Sequence, residues 1–151
     1  MRRSSFRLAL AAAVLAASAR ADEPARDVPV LRTWDGLVQD ETLKGVAASL
    51  RAAGSSPASG HIANEKEFLH LWKAWRPGEQ APTIDFAKEV VLVAVTPGPN
   101  RVTLVPKLDE KGDLHISLRT NLVEGKGFGY GIVTVKREGI KTIKGKPVVN
   151  D

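Results

Sequence analysis

Between positions 125 and 131 the chain reads Gly-Lys-Gly-Phe-Gly-Tyr-Gly, glycine at every second place with a cation and two aromatics between. Glycine-rich loops cradle phosphates when a helix N-terminus follows, because that end presents unpaired N–H groups and a positive dipole. Here Ile132-Val133-Thr134-Val135 follows, β-branched and strand-like. Neither the dinucleotide fingerprint nor the P-loop therefore has its context. What remains is a connection whose backbone can approach a partner closely, with Lys126, Phe128 and Tyr130 to present. Phe128 and Tyr130 share parity along an extended chain, so both rings leave the same side. They either close the end of a core or form a small aromatic patch. Together with Asn100, in the turn Pro97-Gly98-Pro99-Asn100, Lys126, Phe128 and Tyr130 are the candidate binding residues, on loops held by a sheet.

The three histidines carry less. Glu67 and His70 make a Glu-x-x-His pair of the kind that contributes to di-metal centres in four-helix carboxylate proteins. Such a centre needs matching carboxylates from helices that this chain does not spell. His61 lies near Ser55, Ser56 and Ser59, and a Ser-His-acid triad can be composed from such parts, but no nucleophile elbow supports it. His115 falls on the polar side of an alternating segment. No catalytic residue, metal ligand or cofactor is assigned on this pattern. Phe68, Trp72 and Trp75 could stack a sugar or a base, yet their spacing is that of a buried helical stripe.

The chain opens with an address label. Arg2, Arg3 and Arg7 form a basic region, 8–17 is an apolar run of ten, and Ala19-Arg20-Ala21 is a small-x-small cleavage site before Asp22. Ten apolar residues fall short of the roughly 20 that span a bilayer. The expectation is a signal peptide over 1–21, export to the periplasm or beyond, and no stable membrane anchor. The absence of cysteine removes thiol catalysis, thiolate metal sites and a lipoprotein anchor. Four of the 22 basic residues leave with the label, so the mature chain carries 18 against 17 acidic ones, near neutrality. A nucleic-acid role thereby loses its electrostatic support. Basic residues gather towards the end, with Arg119, Lys126, Lys136, Arg137, Lys141, Lys144 and Lys146 against Glu124 and Glu138. They are either solvated strand faces or a surface for an anionic partner.

The elements that must position these residues follow from period. Residues 22–29 read as a disordered leader and 30–151 as one globular domain. A first strand is expected over 30–38, and a helix over 41–53 on the stripe Leu43, Val46, Ala47 and Leu50. Residues 54–60 are loop by composition. Asn64 with Glu67 is a capping box, and Phe68, Leu71, Trp72 and Trp75 share one face, which predicts an amphipathic helix over 65–75. Arg76-Pro77-Gly78 ends it. The apolar run 90–95 marks a strand covered on both faces. Alternation predicts strands over 102–108 and 114–118, with Pro106 at an edge or bulge. A strand over 132–136 and a final pair turning at Lys144-Gly145 complete the set. The expected fold is α+β, a single antiparallel sheet of about five to six strands with the helix packed on it.

Glu67-Phe68-Leu69-His70-Leu71-Trp72, then Pro82-x-Ile84-Asp85-Phe86, the strand at 90–95, the glycine loop and Ile140-Lys141 occur in an order that resembles small exported bacterial domains of unknown function. More distantly the order resembles the C-terminal domain of PrcB-type protease-complex subunits. The resemblance implies a compact antiparallel α+β module acting through protein contacts. The chain departs from that pattern at Gly127-Phe128-Gly129-Tyr130. Two function classes stand: an exported, non-catalytic binding or protein-interaction module with an envelope or extracellular partner, or a small hydrolase or metal-dependent enzyme using His61, His70 or His115. Convergence of a histidine with carboxylates distinguishes them.

Overall fold

The computed structural model describes residues 25–39, 58–62 and 64–148, so the expected signal peptide and the helix expected over 41–53 lie outside the described residues. Helix α1, Glu65–Trp75, begins where the capping box requires, with the Asn64 side chain accepting the Glu67 N–H at 2.9 Å. It ends as Arg76 N–H closes on the Trp72 carbonyl (2.7 Å) and Pro77 forbids another turn. Its buried stripe is Phe68, Leu71, Trp72 and Trp75.

The strands are β1 (Arg26–Asp27), β2 (Val30–Val38), β3 (Ala58–Ile62), β4 (Glu89–Pro97), β5 (Val102–Leu108), β6 (Asp113–Thr120), β7 (Phe128–Lys136), β8 (Thr142–Ile143) and β9 (Lys146–Pro147). They form two sheets and not the single one expected: a four-stranded sheet ordered β2-β7-β4-β3 and a five-stranded sheet ordered β1-β5-β6-β8-β9. The first is antiparallel throughout, and the second carries one parallel pair, β6 with β8. The reason lies between β4 and β5. Gly98 adopts φ +76, and the Pro97–Asn100 turn sends the chain out of one sheet and into the other. Alternation reports which face of a strand is buried but not which sheet it joins.

The central strands β4 and β7 are buried along almost their whole length. On one face Val91, Val93, Val95, Tyr130 and Ile132 pack against α1. On the other, Val90, Leu92, Ala94, Val133 and Val135 pack against Leu104, Leu108, Leu114 and Ile143 of the second sheet. The molecule is thus layered as helix, sheet, sheet. The period-two glycines belong to this layering. A Cβ on Gly129 would stand 1.5 Å from the Asn100 carbonyl oxygen, and one on Gly131 would stand 2.7 Å from that of Val102. Bare positions on that face let the start of β5 lie against β7, while Phe128 and Tyr130 point the other way into the helix-side core.

Two further segments differ from expectation. Residues 58–60, read as loop, begin edge strand β3, which the ladder with β4 holds despite poor strand formers. Within the expected leader, Arg26–Asp27 pair with Lys107–Leu108, and Val28 donates its N–H to the Pro106 carbonyl (3.0 Å). At the carboxyl end Lys144 (φ 51) and Gly145 (φ 76) make the type I′ turn that joins β8 to β9.

Candidate functional site

The four nominated residues separate by depth. Tyr130 is buried, with its ring 4.9 Å from Trp75 and its hydroxyl accepting from Arg76 Nη1 at 3.0 Å. Burial raises its phenol pKa, against the opposing pull of Arg76. Phe128 is half-buried, edge-on to Trp75 at 5.6 Å. Both rings therefore close the helix-side core at the end of the first sheet. Asn100 is also buried, and it is a clamp. Its Nδ2 donates to the carbonyls of Pro97 (2.7 Å) and Val123 (3.1 Å), and its Oδ1 accepts the Val123 N–H (2.6 Å). Lys126 alone of the four is exposed.

Around Asn100 the surface mixes apolar side chains with the exposed Arg101, Asn121, Glu124 and Lys126. Residues 121–127 are all exposed, with Leu122 at 96% and Val123 at 48%. Leu37 pairs with Gly129, whose absent side chain faces Asn100. Residues directly opposite in a ladder share a face, so Leu37, 51% exposed, leaves the sheet on the Asn100 side. Pro99 lies against Gly125 in the same region. In this region Leu37, Leu122 and Val123 are the outward apolar groups, while the two rings pack inward. Leu122 and Val123 were legible only as two apolar residues in a loop.

The histidines are dispersed. His61 lies half-buried on β3, where desolvation lowers its pKa. His70 is exposed on α1. The Ser59 hydroxyl, near His61 in sequence, accepts from the Lys144 ammonium at 3.2 Å. His115 differs from the others. Its Nε2 lies 3.5 Å from Asp109 Oδ2 and 3.4 Å from Asp113 Oδ2, and these three residues are the one group of its kind among the described residues. Strand period puts Asp113 and His115 on one side of β6, and the 109–112 turn folds Asp109 back onto them. Asp109 Oδ1 accepts the N–H groups of Lys111 (2.9 Å) and Asp113 (2.8 Å), which hold its carboxyl below the usual range. Asp113 Oδ1 accepts from the Thr142 hydroxyl and from Gly145 N–H (2.9 Å). In both carboxylates the oxygen facing the imidazole is the one these bonds do not use. Beside Asp109 opens a shallow cleft of about 420 Å³ lined also by Arg26, Leu108 and Lys141.

No protein-family model, curated protein or solved structure matches the chain. No helix among the described residues is long and apolar enough to cross a membrane.

Proposed function

We propose that this chain is an exported, non-catalytic protein-interaction module that acts outside the cytoplasmic membrane, with loop 121–127 as its recognition surface. One observation carries the reading: Leu122 stands almost wholly in water on a loop whose base Asn100 fixes through three hydrogen bonds. Burying a leucine side chain contributes roughly 1.5–3 kcal/mol. A segment already held in place forfeits less ordering entropy on association. Val123 and Leu37 extend the apolar centre, and the same exposed loop carries one acid, Glu124, and one base, Lys126, which suits a partner with an apolar pocket and a polar rim of mixed charge. The order of motifs that resembles PrcB-type domains supports action through protein contacts. The signal-like 1–21 segment supports an envelope or extracellular partner.

The alternative, a small hydrolase or metal-dependent enzyme, gains support only at His115. His61 and His70 gather no comparable trio of ligating groups among the described residues. A photo-crosslinking residue placed at Leu122, and separately at exposed Lys73 on α1, tests the main reading in intact cells. A discrete adduct at 122 that is absent at 73 is expected. No adduct at 122, or the same products from both positions, overturns the assignment of the loop.

A further inference from the structure

We propose that Asp109, Asp113 and His115 form a binding site for a divalent transition-metal cation of the zinc type. The distances carry it. The imidazole Nε2 lies 3.5 and 3.4 Å from the two carboxylate oxygens, beyond the 2.7–3.2 Å of an ordinary N–H···O bond. They match the edge of a coordination tetrahedron: ligand bonds of about 2.1 Å give an edge of about 3.4 Å. The three ligand atoms all lie within 4.8 Å of one another, which places all three within reach of one cation.

Chemistry selects the class of ion. Calcium takes six to eight oxygen ligands, and magnesium an octahedron whose edges at bonds of about 2.1 Å would be about 3.0 Å. An imidazole nitrogen beside two carboxylates suits zinc and its neighbours in the transition series. The donor set balances a double positive charge with two negative ones and also relieves the repulsion between carboxylates that share the imidazole. The supports are those of a prepared site. Two backbone N–H groups orient Asp109, while Gly145 N–H and the Thr142 hydroxyl orient Asp113. Three protein ligands leave the fourth vertex to water or to an incoming group, and the cleft with Arg26 and Lys141 opens alongside. A bound ion would brace the β5–β6 hairpin, which supplies all three ligands and whose Asp113 already bonds Thr142 and Gly145 of the β8–β9 pair. None of this depends on the loop at 121–127.

The test is titration of the purified, chelator-stripped protein with ZnCl2 by calorimetry, with cobalt(II) absorption as the signature of tetrahedral geometry. Saturable uptake of one zinc per chain is expected, with no comparable response to magnesium or calcium. Loss of outer-shell support costs metal sites about 10–100-fold in affinity, so removal of a ligand should cost at least roughly 100-fold. His115→Ala and Asp113→Asn should each show that loss. The first removes a half-exposed ring, and the second keeps the acceptor oxygen that binds Thr142 and Gly145. His70→Ala, which removes the helix histidine of the Glu-x-x-His pair, should bind as the parent does. Absence of saturable zinc uptake, an undiminished His115→Ala variant, or loss of binding in His70→Ala overturns the proposal.

Discussion

Replacing Asn100 separates the clamp from the fold. The side chain is 4% exposed and makes three hydrogen bonds, to Pro97 O, Val123 O and Val123 N–H. Each such bond contributes about 0.5–1.5 kcal/mol net, so Asn100→Ala removes roughly 1.5–4.5 kcal/mol if no partner finds a substitute. The loop beyond the clamp is exposed, and water can satisfy part of what is lost. A cost of about 2 kcal/mol is therefore expected, equivalent to roughly 30-fold faster exchange of the Val123 amide hydrogen. Asn100→Asp should be worse at neutral pH. It keeps the acceptor for Val123 N–H but sets a carboxylate oxygen where Nδ2 lies 2.7 and 3.1 Å from two carbonyls. Only the protonated acid can donate there, so the introduced carboxyl has a raised folded pKa and its stability returns as pH falls towards 4. Urea titrations of both variants at pH 7 and pH 4.5, with amide exchange at Val123, measure these effects. An Asn100→Asp variant as stable as Asn100→Ala at pH 7, or unchanged Val123 protection in Asn100→Ala, would refute the clamp.

Trp72→Ala should cost about 3–5 kcal/mol in denaturant unfolding, because the ring is 3% exposed and lies against Trp34, Phe68 and the Arg76 guanidinium. Leu69→Ala, at an exposed site on the same helix, should stay within about 0.5 kcal/mol. Thr134→Val should raise the unfolding free energy by an amount on the order of 1 kcal/mol, since its hydroxyl is buried with no hydrogen-bond partner among the described residues; a lower stability would mean that the hydroxyl is satisfied. His61 titrates below its usual value of 6.5 because burial disfavours the charged ring. The unfolded chain therefore takes the proton first, and the stability that the neutral ring contributes is present above about pH 6.5 and lost as pH falls below it. His61→Gln should flatten that acid limb between pH 7.5 and 5.5, and an unaltered slope would assign the limb to other groups.

Local period made most elements legible. The capping box at Asn64 and Glu67 and the stripe through Phe68, Leu71, Trp72 and Trp75 define α1, and the two-sided burial of β4 is written in Val90–Val95. What covers the second face of β4 is not written there. The alternation of Val102, Leu104 and Leu108 is the same whether β5 extends one sheet or packs on another. A signal did exist in the glycines. Phe128 and Tyr130 occupy one parity of β7 and Gly129 and Gly131 the other, so the strand presents rings to one layer and bare backbone to the next. As freedom to bend, those glycines point to a loop that a partner can approach. Their physical use is the absence of Cβ where a second sheet comes close.

The Asp109–Asp113–His115 group shows the complementary limit. Period alone put His115 on the polar side of its strand and Asp109 in a hairpin loop, and neither position points to the other. They meet because Asp109 N–H bonds the Asp113 carbonyl at 3.1 Å, a register closed by the turn and invisible to a two-residue period. Once that closure is taken into account, the spacing Asp-x-x-x-Asp-x-His acquires a geometric meaning. The turn contributes the first ligand, and alternate positions of one strand contribute the other two. A hairpin can therefore assemble three ligating groups within seven residues, with no need for the helices that the Glu67–His70 pair lacked.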